Sequence, residues 1–249
     1  MNPAFLVFAN IVLIARLFAL FRDDSVAGSS WIVKSGVELG ALLLLYVFSP
    51  WLVGAAALVV AFNFAGWRWE RGARRKNLGR LLLGLFELLA LSFFFALEDR
   101  LSFRPEAGRV GQFIGESTAL APLLGMIGSP RVQLELFGLL LAANEANFVV
   151  RAVFDGLDLK PKSLPSGQGV MDVGEFNRGR VIGLLERILL YLFILQGQYG
   201  AIGFILAAKA FTRFKALDDR AFAEYVLIGT LLSACLALAA GGLVRKLIS

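Results

Sequence analysis

Apolar residues along this chain run in long blocks instead of alternating with polar ones. Most blocks approach the roughly 20 residues needed to cross a hydrocarbon core of about 30 Å. Eight segments stand out: about Ala4 to Phe21, Ile32 to Phe48, Trp51 to Trp67, Leu78 to Leu97, Val132 to Phe154, Val181 to Gln196, Tyr199 to Phe211 and Phe222 to Leu243. Ser49-Pro50 separates the second from the third and predicts a helical hairpin, because a residue before proline is pushed out of the helical region. The stretch from Gln112 to Ile127 is weaker, with Pro122 at its centre, and reads as interfacial or re-entrant.

This pattern predicts an all-α, polytopic transmembrane helical bundle of about seven to eight membrane segments. Residues 1–155 form an N-terminal group of about five helices plus the weak segment. A polar loop follows at 156–177, and 178–249 form a C-terminal three-helix region. Gln196-Gly197-Gln198-Tyr199-Gly200 reads as a tight hairpin near the membrane surface rather than a re-entrant loop, since irregular backbone at depth needs protein or water beside it. The segment from Met1 to Phe21 has no basic leader and carries Arg16 inside its apolar stretch, so it is expected as a retained first helix.

Composition sharpens the picture. Hydrophobic residues make up 58% of the chain and charged residues 18%, with a mean hydropathy of +0.72. Soluble domains sit at about 45–50% and about 25%. The 25 Lys+Arg against 19 Asp+Glu point to cytoplasmic loops rather than to nucleic acid. The densest cluster is Arg68, Arg71, Arg74, Arg75, Lys76 and Arg80. Placing it in the cytoplasm and counting helices outward puts 17 basic residues inside, Lys34 among them, and six outside. The expectation is a multi-pass protein of an inner (plasma) membrane with an extracytoplasmic N-terminus. Its partners would be the bilayer, through anionic headgroups at the basic loops, and either a second copy or a membrane partner protein.

No histidine and a single cysteine, Cys235, remove the usual zinc, haem and iron–sulfur ligand sets, and no cofactor is expected. HExxH, GxSxG and P-loop patterns are missing. Asp23-Asp24 and Asp218-Asp219 read as helix-flanking caps rather than metal ligands. The informative residues are polar ones inside apolar segments, which are costly in lipid and point to function. The acidic set is Glu38, Glu87, Glu135, Glu145, Glu186 and Glu224. In the fifth segment Asn144, Asn147 and Arg151 share one helical face, with Glu145 about 100° round from Asn144. Such a stripe either lines a polar path or bonds a neighbouring helix, with Arg151 reaching the interface. Arg151 with Glu186, and Lys209 with Glu224, are the ion pairs expected across helices.

The run Gly179-Arg180-Val181-Ile182-Gly183-Leu184-Leu185-Glu186-Arg187, then Gly197-Gln198-Tyr199-Gly200-Ala201-Ile202-Gly203-Phe204, Ala207-Ala208-Lys209 and Arg213-Phe214, and finally the segment from Phe222 to Ser233, resembles the C-terminal region of a prokaryotic family of multi-pass membrane proteins known only as a domain of unknown function. The resemblance covers roughly residues 178–235, and implies a bacterial or archaeal inner-membrane protein. It adds Glu186, Arg187, Gln198, Lys209, Arg213, Glu224 and Tyr225 to Asn144, Glu145, Asn147 and Arg151 as candidate binding residues. The His- and Asp-containing first-helix motif frequent in that family has no counterpart here. Three functions follow as expectations: an ion, proton or small-solute transporter using intramembrane carboxylates; a non-catalytic scaffold or partner subunit; and, third, a lipid-acting enzyme.

Overall fold

A computed structural model describes residues 2–20, 27–73, 75–96, 101–105, 128–158, 173–212 and 220–249. The described residues are helical apart from short turns and one isolated bridge between Tyr46 and Phe103. The helices are α1 (Pro3–Ala15), continued by a 3-10 turn (Arg16–Ala19), α2 (Gly28–Leu45), α3 (Pro50–Gly72), α4 (Lys76–Ala96), α5 (Pro130–Leu140), α6 (Ala146–Gly156), α7 (Val173–Gln196), α8 (Tyr199–Thr212) and α9 (Arg220–Ile248). A π turn, Leu141–Glu145, joins α5 and α6 into one span, Pro130–Gly156. Among the described residues five helices are long and apolar enough to cross a membrane: α2, α3, α4, the Pro130–Gly156 span and α9. The weak segment at 112–127 lies outside the described residues.

Local chemistry sets the breaks. Ser49 is extended, its hydroxyl accepts from the Leu52 amide at 3.2 Å, and Pro50 opens α3 where its missing N–H costs nothing. Asn2 caps α1 in the same way, accepting from the Ala4 amide at 2.9 Å. At the other predicted turn Gly197 takes a positive φ of 71°, and Gln198 donates back to the Phe193 carbonyl at 2.8 Å, so α7 closes in a glycine-terminated cap. The tight hairpin between α7 and α8 is thereby accounted for. α7 itself begins at Val173, eight residues before the apolar segment, because Glu175, Asn177, Arg178 and Arg180 extend it in polar sequence.

The chain gathers into two compact units, Met1–Leu140 and Leu141–Ser249. In the first, buried positions recur every three or four residues along each helix: Trp31, Lys34, Glu38 and Leu42 on α2; Leu52, Ala55, Val59, Asn63, Gly66 and Glu70 on α3; Asn77, Arg80, Gly84, Glu87, Leu91 and Phe95 on α4. This is the stripe of a packed helix seam. One end of it is apolar and aromatic, where Phe8, Tyr46 and Phe95 meet and Phe103 stacks on Tyr46 at 5.3 Å. The other end, toward the basic loop, is polar.

In the second unit α7 and α9 form the main contact. A Cβ at Gly241 of α9 would overlap Ile194 of α7 and sit 3.3 Å from the Tyr191 carbonyl. Gly241→Val is therefore expected to destabilise this unit by about 1–3 kcal/mol through overpacking. A lowered melting temperature in detergent checks it.

Candidate functional site

The densest buried polar constellation lies in the first unit. Lys34 and Glu38 are one turn apart on α2, Asn63 is on α3 and Glu87 on α4, and all are at most 3% exposed. The Lys34 ammonium sits 2.7 Å from Glu38 Oε1, and donates to Asn63 Oδ1 at 2.7 Å and to Glu87 at 3.1 and 3.2 Å. Asn63 Nδ2 closes the ring by donating to Glu38 Oε2 at 2.6 Å. At a rise of 1.5 Å per residue, Glu38, Asn63 and Glu87 stand about 15–20 Å from the starts of their helices, close to mid-span. The backbone therefore holds two carboxylates on one ammonium near the centre of three membrane-length helices.

Toward the basic loop the seam continues. Arg80 of α4 donates to Glu70 of α3 at 2.7 Å, and Arg16 lies against Gly84 and donates to the Arg80 carbonyl at 2.8 Å. Asn10 of α1 donates to the Gln133 side chain at 2.7 Å and to its carbonyl at 2.9 Å. Among the described residues, the charged groups buried in this unit are three acids, Glu38, Glu70 and Glu87, and three bases, Arg16, Lys34 and Arg80.

The sequence marks Glu38 and Glu87 as acids inside apolar segments but does not bring them together. The charge count puts Lys34 among the basic residues of the cytoplasmic side, whereas the structure buries it inside α2. The signal was present: a Lys and a Glu four residues apart within an apolar segment form a helical ion pair. Asn63, alone in the apolar stretch of α3, was the other cue.

The predicted site residues fall in the second unit. Asn144 is fully buried and donates to Glu145 Oε1 at 3.2 Å. The two were expected to diverge on an α-helix; both are buried, on the π turn that carries them. Arg187 is buried and donates to Ser233 Oγ at 3.3 Å and to the Ala143 carbonyl at 3.2 Å. Glu186 pairs with Lys209, not with Arg151, and Lys209 is thereby taken from Glu224. The reason is the hairpin, which returns α8 along α7 and brings position 209 beside position 186. Asn147 and Arg151 are half-buried on α6, and the Tyr225 ring packs tilted against Phe154 with centroids 4.7 Å apart. Gln198 and Glu224 are exposed, and Arg213 lies outside the described residues.

Among the described residues no group of three or more His, Cys, Asp or Glu could hold a metal ion. The architecture defines an all-α helical protein with several spans of membrane length, carrying buried ion networks. Comparison of the chain with family models, with curated proteins and with solved structures gave no match. Its chemistry is accordingly read from its own residues.

Proposed function

We propose that this is an integral membrane protein that exchanges a proton or a small cation at the Lys34–Glu38–Asn63–Glu87 cluster, as a transporter or channel-like protein. The observation that carries this reading is the convergence of two carboxylates on one ammonium in a fully buried, mid-span seam. Ionisable groups at such depth are expensive and mark ion or proton pathways. The cluster taken alone holds one positive and two negative charges, so a proton or cation on a carboxylate offsets its local excess. Arg16, Arg80 and Glu70 form a polar lead toward the basic loop, and the aromatic end closes the opposite side.

On this reading the basic loop around residues 68–76 faces the cytoplasm of a bacterial or archaeal inner membrane, and the N-terminus is extracytoplasmic. Burial of Lys34 and Arg80 leaves the excess of loop Lys and Arg on that side. Exposed Trp69, and Arg71 lying 3.8 Å over the Trp67 ring, suit an interface with anionic headgroups.

Proton and cation flux into proteoliposomes holding the purified chain tests the proposal. Wild-type flux is expected, with Glu87→Gln lowering it at least tenfold while the protein still folds. A scaffold reading is favoured by the balance of three acids and three bases in the seam, which suits ion pairs that only fix helix packing. It predicts no flux above empty vesicles for any ion tried, and that result would replace the transport reading.

A further inference from the structure

The second unit holds a buried cation, Arg187, that no carboxylate among the described residues pairs with. Arg187 is 5% exposed, and its acceptors are both neutral: the Ala143 carbonyl and the Ser233 hydroxyl, at 3.2 and 3.3 Å. Its Nε is buried without an acceptor. Among the described residues no carboxylate forms an ion pair with it. Glu186, its neighbour in sequence, is bonded to Lys209, and Glu145 accepts from Asn144. The Asn144 Oδ1, one residue beyond the carbonyl that Arg187 binds, is also buried without a donor.

A guanidinium stays ionised at any physiological pH. Removing it from water without a counter-charge costs several kcal/mol, and two long hydrogen bonds to neutral oxygens do not offset that. The site is deep. Ser233 and Ala143, which hold Arg187, each stand at least about 15 Å from either end of their membrane-length spans, by the rise per residue. A lipid headgroup would have to leave the interface to reach this depth, so the fitting partner is small. The π turn supplies a further mark, since such turns concentrate at functional sites and this one presents the Ala143 carbonyl to Arg187.

We propose that the second unit binds a small monovalent anion, a halide or a short carboxylate, at Arg187. The guanidinium supplies the charge and the free Nε–H a directed hydrogen bond. Ser233 accepts from Arg187 through a lone pair, which leaves its own hydroxyl proton to donate to the anion. The unpartnered Asn144 carbonyl oxygen is placed to accept from a water that enters with it. This site is independent of the cation-exchange reading, since none of its residues belongs to the first unit.

The test is thermal melting of the full-length chain in non-ionic detergent, exchanged into sodium gluconate and titrated with chloride, bromide and acetate at constant ionic strength. A ligand that binds only the folded state raises the melting temperature by mass action. The expected result is a saturable rise with at least one of these anions. Half-saturation should move about tenfold higher in Ser233→Ala, and the response should be lost in Arg187→Gln. Chloride and bromide acting without acetate would define a halide site, and acetate acting alone a carboxylate site. A wild-type melting temperature that is the same in every salt overturns the proposal, as does an unchanged response in Arg187→Gln. Should Arg187→Gln fail to fold, Ser233→Ala carries the test, because it keeps the charge and removes one donor; an unshifted midpoint there overturns the proposal.

Discussion

Replacing Lys34 by methionine is expected to destabilise the first unit by about 3–5 kcal/mol, the cost of breaking a buried ion pair by removing one partner. Methionine keeps the unbranched stem, so packing changes little and the loss is electrostatic. Two carboxylates then face each other across the vacated position with only the Asn63 amide between them, where the ammonium had contacted both at 2.7 to 3.2 Å. Arginine should not restore the site, because a planar guanidinium cannot occupy the point where one ammonium meets Glu38, Asn63 and Glu87. Adding Glu87→Gln to Lys34→Met removes one of the stranded charges and is expected to recover at least half of the loss. Unfolding in detergent, followed by tryptophan fluorescence from Trp31 and its neighbours, measures the cycle. A single variant within 1 kcal/mol of wild type would show that the cluster is not held by its charges.

The cycle also separates the two readings of the first unit. A scaffold needs only that the network be neutral and well bonded, so a double variant of restored stability should also restore function in the cell. An exchange site needs a titratable or cation-binding carboxylate, so the same variant should be stable and silent in flux. Stability and flux recovering together would place the transport path elsewhere and leave packing as the role of the cluster.

Helix boundaries were legible because the bilayer imposes a length, and because Ser49-Pro50 and Gly197 carry their own backbone chemistry. The all-α class followed from the same blocks. What the sequence could not supply was register between helices. Lys34 and Glu38 announce each other one turn apart, but nothing local says that Asn63 and Glu87, 29 and 53 positions from Lys34, arrive at the same level. Arg151 and Lys209 illustrate the same limit from the other side. Both looked free to pair by depth alone, and the hairpin geometry decided that Lys209 takes Glu186. The π turn at Leu141–Glu145 left no mark in the sequence either, since its residues are ordinary helix formers. The start of α7 was masked by polarity, because hydropathy registers the membrane and not the helix.

Phe95→Ala is the second large change to expect, and it acts at the opposite end of the seam. Phe95 is 2% exposed, with ring centroids 5.4 Å from Tyr46 and 5.9 Å from both Phe5 and Phe8. In lipid the transfer part of a core deletion largely vanishes, because acyl chains are as apolar as the core, and the lost packing remains. Removing about 100 Å³ at roughly 24 cal/mol per Å³ of cavity gives about 2–3 kcal/mol. The neighbours cannot easily collapse into the space. Tyr46 is tied by its hydroxyl to the Ala4 carbonyl at 2.7 Å, and its own carbonyl accepts from Arg104 at 2.7 Å. The residues from Leu45 to Val47 are further strapped to Ser102 and Arg104 through backbone hydrogen bonds of 3.0 and 2.8 Å. A persistent void at this end would thin the apolar barrier beyond Glu87 while leaving the ion network intact. On the exchange reading, passive proton entry into vesicles should then rise severalfold over wild type, and Phe95→Leu should recover most of the seal. Loss of stability without any added leak would confine the aromatic end to packing and remove it from the proposed pathway.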